Sequence, residues 1–322
     1  MTGRELVMVE QRQGDDDAAF WVREGERRIV GQDSNRRLVE LRAGLVRHAR
    51  VRPVAADAPD EEVERTLGAL HEPDYLVALG EVASAEPVVM VDFAPPGLEP
   101  DIPVNASLVA AAREGIRTAI TAAERLLEGA RFTYAVCRPP GHHAGPAFHA
   151  GYCYLNNAAA AVRRLCDGGM KPVGVVDLDL HYPNGTSALV ERMYPDVTLH
   201  SLHAEPVTNL PPGTRLPRVA GERAVSFAGV PDEAAYLHEL EASIIDLSEI
   251  AAALVVSLGY DTVAGDPHGG WGFRPEIFAE VGRLLAHSRL PICVIQEGGY
   301  SLERLADCSH AFALGLLGGE AA

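Results

Sequence analysis

The chemistry available to this chain is concentrated in a few short polar runs. Asp177-Leu-Asp179-Leu-His181 packs two carboxylates and an imidazole into five residues; His142-His143 stands upstream, and Asp261 and Glu297-Gly-Gly-Tyr300 follow. If the segment runs extended, Asp179 and His181 point to the same face, as two ligands of one ion must. Asp261 would complete a three-donor set. An Asp/His/Asp site with an open position is a catalytic arrangement, because the metal then polarises a carbonyl and lowers the pKa of its bound water to about 7. Singly, each run has a plainer reading: the Asp-Leu-Asp-Leu-His segment as a polar strand end, the His pair as a turn. Taken with the Asp261-Thr-Val-Ala-Gly-Asp266-Pro loop and the Gly-Gly-Tyr, chance is the poorer explanation.

For those runs to meet, a regular scaffold must bring them to one edge. From about residue 105 helical and strand-like signals alternate as a parallel sheet with crossover helices requires. Residues 107–128 read as a helix with Leu108, Ala112, Ile116, Ile120 and Leu127 on one face and Gly129 as its stop. Residues 132–137 read as a strand running into Arg-Pro-Pro-Gly, which cannot continue it. Asn157 is placed to cap a helix over 158–167. Residues 173–180 form a buried-type strand that turns polar at its carboxyl end, and 197–201, 254–257 and 292–295 repeat that shape. Helices over about 232–250, 275–287 and 302–317 alternate with them. The polar residues fall just past the strands' carboxyl ends, where open α/β sheets place their ligands. Asp15-Asp16-Asp17 and the stretch around Pro95-Pro96 read as loops, and the first hundred residues otherwise show no clear pattern.

Composition bounds the function. With 322 residues, 47% hydrophobic and 23% charged, the chain resembles an ordinary globular protein, and without a Ser/Gly/Pro linker it reads as a single domain over 1–322. A formal charge of −17 argues against nucleic acid as a partner, since that binding is driven by Lys and Arg releasing counterions. The same field would favour a cationic substrate or serve solubility alone. No apolar run approaches the roughly 18 residues that span a bilayer and no signal peptide is evident, so no membrane association and a cytoplasmic location are expected. Five cysteines without CxxC pairing suit reduced thiols, so any metal must be held by His and carboxylates.

These segments resemble the histone deacetylase and acetylpolyamine amidohydrolase superfamily, in its bacterial type. The resemblance rests on Arg138-Pro-Pro-Gly-His-His-Ala, Gly151-Tyr-Cys-Tyr-Leu-Asn-Asn, Asp177-Leu-Asp-Leu-His with Asn184-Gly-Thr, Ser201-Leu-His, Leu258-Gly-Tyr-Asp-Thr-Val-Ala-Gly-Asp-Pro and Glu297-Gly-Gly-Tyr, in order over about residues 105–315. It implies an arginase/deacetylase type of α/β fold, a mostly parallel central sheet with helices on both faces. It implies one zinc ion on Asp179, His181 and Asp261, with His143 taking a proton from the attacking water and returning it to the leaving amine. His142 would be its electrostatic companion, oriented by Asp177, while Asn184 would orient His143. Beside a neutral Asn, unlike a carboxylate, His143 could stay a free base near neutral pH. Tyr300 would donate to the substrate carbonyl. The Gly151 carbonyl would accept the scissile amide N–H, and Tyr152 and Phe148 would wall a narrow channel. A structural potassium ion would lie among Asp177, Asp179, His181, Ser201 and Leu202. The implied substrate is a small-molecule acylated amine such as an N-acetylpolyamine, or acetyl-lysine; the oligomeric state stays open, a homo-oligomer included.

The chain departs from the family pattern in places. Tyr182-Pro183 stands where relatives carry His-Gly, and the proline fixes φ and removes an N–H just before Asn184. His268 replaces an apolar channel residue, or the glutamate of a polyamine-selective relative, which weakens the inference to a polyamine. Pro212-Gly-Thr lacks the Gly-rich sequence expected to follow, the usual His-Pro-Glu opening is missing, and Asp92, Glu99 and Asp101 are expected near the rim. Two other readings compete: an arginase-like two-metal hydrolase, which needs further bridging ligands, and a binding module that kept the fold, which predicts damage at the ligands, base or tyrosine.

Overall fold

Runs of Val, Ile and Leu with no polar alternation belong in strands covered on both faces, and the computed structural model builds one sheet from them. It describes residues 5–12, 21–24, 27–193, 195–208, 210–211, 216 and 220–318. Asp15-Asp16-Asp17 and Pro212-Gly-Thr therefore lie outside the described residues. The strands are β1 (Leu6–Glu10), β2 (Trp21–Glu24), β3 (Arg27–Val30), β4 (Val51–Ala55), β5 (Phe132–Val136), β6 (Val173–Asp177), β7 (Val197–Glu205), β8 (Glu222–Ala228), β9 (Ala253–Leu258) and β10 (Ile292–Gln296). Eight of them pair in the order β4-β1-β5-β10-β9-β6-β7-β8, every pair parallel, while β2 and β3 form a separate antiparallel hairpin.

Alternate residues of the central strands feed two cores. Phe132, Tyr134, Val176, Leu254, Val256, Ile292 and Val294 face one side, and Ala135, Val173, Val175, Val255, Cys293 and Ile295 the other. The first side is covered by α1 (Asn35–Leu45), α7 (Glu233–Ser248), α8 (Ile277–His287) and α9 (Leu302–Leu317). The second is covered by α4 (Ala106–Leu127) and α5 (Asn157–Asp167), whose alanines sit against the small residues of the strands, together with α6 (Asn184–Met193). A third cluster packs α2 (Asp60–Leu70), α3 (Pro73–Gly80) and the start of α4 against Tyr152, Tyr154, Tyr300 and Val22 of the hairpin. No helix of the described residues is long and apolar enough to cross a membrane.

The parallel sheet with helices on both faces is the one expected. Its details differ in instructive ways. The α5 cap is Asn156, whose Oδ1 accepts from Ala159 N at 2.8 Å, whereas Asn157 turns inward and donates to the Pro139 carbonyl. On α4 the buried residue of the last turn is Leu126, with Leu127 half-exposed. The unread first hundred residues supply β1 and β4, which extend the sheet beyond β5.

Two histidines buried in the third layer make stability depend on pH. His71 bridges Gly145 O and Asn156 N, and burial lowers its pKa to about 4. His149, stacked near Tyr75 and Tyr154, is lowered to about 4 by burial as well. The unfolded chain takes up these protons near 6.5 and the folded chain does not, so stability is full above about pH 6.5 and falls as the pH drops toward 4, by about 3 kcal/mol per histidine. Chemical denaturation at pH 7.5, 6 and 5 should show this loss, and His149→Phe should flatten the slope; an unchanged slope would refute it.

Candidate active site

Four neighbouring strands end on one edge, and the loops leaving β5, β6, β9 and β10 carry the polar runs. β6 stops at Asp177, and residues 179–181 bend rather than extend. Asp179 and His181 therefore do not converge through strand alternation, as the spacing suggested. They converge through a turn in which the His181 N–H donates to Asp179 Oδ1 at 2.9 Å. His181 Nδ1 then lies 3.1 Å from Asp179 Oδ1 and 3.0 Å from Asp261 Oδ2. The donor atoms of Asp179, His181 and Asp261 all lie within 4.8 Å of one another.

Backbone amides set this geometry. Gly298 N donates to Asp179 Oδ2 at 2.8 Å, and Leu180 N to Asp261 Oδ1 at 3.1 Å. Gly298 is obligatory at its position, because a Cβ there would meet Asp179 Oδ2 at 2.5 Å and Asp261 Oδ2 at 2.9 Å. Two buried carboxylates facing one nitrogen require a positive charge among them. With protons alone, His181 supplies it: against burial, Asp179 and Asp261 hold its pKa well above 6.5. A divalent cation among the three donors would satisfy the same requirement with His181 neutral, so the donor set fits a metal of the zinc type.

The adjacent histidines occupy opposite environments although their rings are 4.0 Å apart. His142 Nδ1 faces Asp177 Oδ2 at 3.4 Å, longer than a formed hydrogen bond, and its Nε2 lies 3.6 Å from Asp179. Burial lowers its pKa, but Asp179 and Asp177 outweigh burial and raise it to about 10. His143 is pushed well below 6.5 by burial and by the positive His142 and His181. Its Nδ1 bonds Asn184 Oδ1 at 2.8 Å, so Nδ1 donates and Nε2 is an acceptor. Gly151 runs against this ring: a Cβ would sit 2.4 Å from His143 Cδ2, and its φ is +53°.

Tyr300 is 7% exposed, and burial raises its hydroxyl well above 10. Its backbone N donates to Asp266 Oδ2 at 2.7 Å, and the Arg37 guanidinium lies 4.6 Å from its ring centre. Asp266 Oδ1 also takes the His268 N–H. Tyr152, His268 and Tyr300 form a triangle of rings 4.8 to 5.3 Å apart, and His268 Nε2 bonds the Tyr152 hydroxyl at 2.8 Å. A cavity of about 690 Å³ reaches from this triangle down to His142, His143 and the three-donor cluster; Gly151, Tyr152 and His268 line it, as do Glu99 and Asp101. Phe148 does not. Its ring folds onto Gly145, so the expected channel wall is Tyr152 without Phe148. Ser201 pairs with Asp177 across β6 and β7, next to the buried Leu202.

Residues 32–316 match the model of the histone deacetylase domain. The chain belongs to that family. It is 34% identical over 213 residues to acetylpolyamine amidohydrolase 1 of Pseudomonas aeruginosa, covering 64% of this chain and 61% of the relative. To the acetylpolyamine amidohydrolase of Mycoplana ramosa it is 36% identical over 203 residues, 61% of this chain and 59% of that one. The chain thus spans about six tenths of the length of the curated relatives it matches. A crystal structure of acetylpolyamine aminohydrolase from Burkholderia pseudomallei superposes with a TM-score of 0.83 at 26% identity, covering 97% of this chain and 98% of that one.

Several residues of this histone deacetylase-family site are given no role by the sequence. Glu297 is fully buried and accepts from Gly141 N and His142 N; burial raises it to about 8. Asp33 pairs with Arg37 and Arg138 beneath Tyr300, and Arg37 also donates to the Gly299 and Glu297 carbonyls. The Glu-Gly-Gly-Tyr and Gly-Asp-Pro runs contain signals for Glu297 and Asp266, whereas nothing near Asp33 or Arg37 marks them. The packing around Gly298 carries a direct test. Gly298→Ala should weaken zinc uptake at least about tenfold in calorimetric titration while helical content is retained, since the new methyl displaces both carboxylates; wild-type affinity would sink this account of the donor cluster.

Proposed function

We propose that the chain is a zinc-dependent amidohydrolase that removes an acyl group, most simply acetyl, from the nitrogen of a small amine or a lysine side chain, with residues 1–322 working as one catalytic domain. The observation that carries this reading is the convergence on one cavity of the Asp179, His181 and Asp261 donors, an acceptor nitrogen on His143 and the Tyr300 phenol. Family membership supports it, and so do relatives named for acetylpolyamine hydrolysis.

Asp179, His181 and Asp261 would hold the zinc, which when bound polarises the acyl carbonyl and acidifies an attacking water. His143 takes the water's proton at Nε2, the nitrogen left as acceptor by the bond from Nδ1 to Asn184, and delivers it to the departing amine. His142, kept positive by Asp179 and Asp177, holds His143 basic only weakly, so that the same group can give the proton back. Tyr300 remains protonated and donates to the carbonyl oxygen as charge develops there. The Gly151 carbonyl receives the amide N–H, with Tyr152 and His268 along the chain of the substrate. Glu99, Asp101 and the overall negative charge would attract a cationic amine. A potassium ion among Asp177, Asp179, His181, Ser201 and Leu202 belongs to the same proposal; Asp177 Oδ2 there is buried without a formed hydrogen bond. A two-metal mechanism would need a ligand shared by both ions. Among the described residues, the other buried cluster of metal-ligand types, His142, Cys153 and Glu297, has no residue in common with the first.

The purified protein should bind about one zinc per chain and turn over an N-acetyl-lysine or N-acetylpolyamine reporter. Tyr300→Phe and His143→Ala should each lower kcat by about a hundredfold or more. Full activity in both variants would remove the mechanism. A panel of acetylated lysine peptides, polyamines and amino sugars, repeated in His268→Leu, should show the change mainly in KM if His268 lines the path of the amine.

A further inference from the structure

Tyr182-Pro183, set between a metal-ligand histidine and Asn184, has no part in the reaction just described. Its surroundings are nonetheless built. Tyr182 is 1% exposed, and its ring meets His203 edge-on at 5.0 Å. Its hydroxyl lies 2.8 Å from Glu222 Oε1 and 2.9 Å from Ser187 Oγ, and Ser187 Oγ donates to Glu222 Oε2 at 2.7 Å. One carboxylate at the start of β8 therefore receives two hydroxyls, one from the turn after β6 and one from the first turns of α6.

We propose that Glu222, acting through the Tyr182 and Ser187 hydroxyls, positions Asn184 and thereby holds His143 in its Nδ1–H form. Tyr182 O accepts from Asn184 N and Pro183 O from Ser187 N, both at 2.9 Å, so the turn and the helix start move as one piece. That piece is docked on the histidine loop. Thr186 N donates to His142 O at 3.0 Å, Asn156 Nδ2 joins Thr186 Oγ1 to Ala144 O, and Gly185 lies so close to Ala144 that a Cβ would meet its carbonyl oxygen at 2.5 Å. Pro183 fixes its own φ, which leaves the side chains at 182 and 187 as the handles that set where Asn184 projects. An Asn184 displaced by a few tenths of an ångström would loosen the 2.8 Å bond that selects the His143 tautomer. Glu222, Tyr182 and Ser187 are positioning residues, since none lines the cavity.

The test uses the zinc-loaded chain of 322 residues. Tyr182→Phe keeps the ring and loses the hydroxyl; Glu222→Ala removes the acceptor; Glu222→Gln keeps an acceptor for one hydroxyl and a donor toward the other. Tyr182→Phe and Glu222→Ala should lower kcat about tenfold with KM within about twofold and zinc content unchanged, Glu222→Gln should recover most of the loss, and Glu222→Ala should add nothing to Asn184→Ala. Losses that multiply in the double variant would overturn the proposal. The kinetic arm rests on the proposed deacylase reading, so a second readout is independent of it: ¹⁵N-imidazole spectra, with His143 assigned through His143→Gln, should show one tautomer in the wild type and a mixture in Tyr182→Phe. A wild type that hydrolyses no acylated amine would defeat the deacylase reading alone, and an unchanged tautomer in Tyr182→Phe would defeat the clamp alone.

Discussion

Two carboxylates with almost no contact with water, aimed at the same imidazole nitrogen, are the constraint around which the rest of this molecule is arranged. Asp179 and Asp261 are 1% and 0% exposed. At that depth like charges repel strongly and desolvation disfavours ionisation, so the pair persists only if each oxygen is matched by a donor or a cation. The sheet supplies the donors. Parallel strands leave amides of successive loops at one edge, and Gly298, Leu180 and His181 turn theirs onto the two carboxylates. At two loop positions only a residue without a Cβ fits, Gly298 and also Gly259, where a Cβ would stand 2.3 Å from Asp179 Oδ2. The charge left over after this matching is the opening for a metal.

The same charge separates the two adjacent histidines. Rings 4.0 Å apart cannot both be protonated cheaply in a dry site, and the environment decides which one is. His142 looks at Asp177 and Asp179 and keeps its proton; His143 looks at a neutral amide and the flank of the cationic His142 and loses it. Neighbours in sequence with opposed titration are what a proton-transfer step requires, one group poised to accept and another holding the field steady.

How far the sequence revealed this depends on the range of the forces involved. Strand cores and the helix over Leu302–Leu317 were legible because buried parallel strands need unbroken apolar runs and helices need a 3.6-residue face. The polar runs at strand ends were legible because apolar patterning stops there abruptly. The turn at Asp179 was not, since an aspartate that bonds an amide two residues on looks, as a string of letters, like the end of a strand. Phe148 was misplaced for a similar reason: nothing in Gly145-Pro-Ala-Phe148 says that the ring will fold back onto the glycine instead of facing the cavity. Asp33 and Arg37 were invisible, because, apart from each other, their partners lie more than a hundred residues away at Arg138 and more than two hundred and fifty away at Glu297 and Gly299.

Those distant partners divide the site into a fixed floor and an adjustable mouth. The floor comes from the ends of β6, β9 and β10, where backbone amides hold the Asp179 and Asp261 carboxylates and these in turn hold His181 Nδ1. The mouth comes from pieces far apart in sequence: Val22 of the hairpin, the Gln32 amide on the Tyr152 hydroxyl, and His268 on the same hydroxyl. Tyr152 itself adopts φ +69°, a conformation that costs a non-glycine residue roughly 1–3 kcal/mol and must be held by its surroundings. The two hydrogen bonds on its hydroxyl, together with its packing against Tyr300, hold it there. A mouth maintained by contacts with Val22, Gln32 and the Pro267–His268 loop can be reshaped by substitutions that leave Asp179, His181 and Asp261 untouched. On the proposed function, the choice of amine and the chemistry at its nitrogen would therefore be controlled by different parts of the chain.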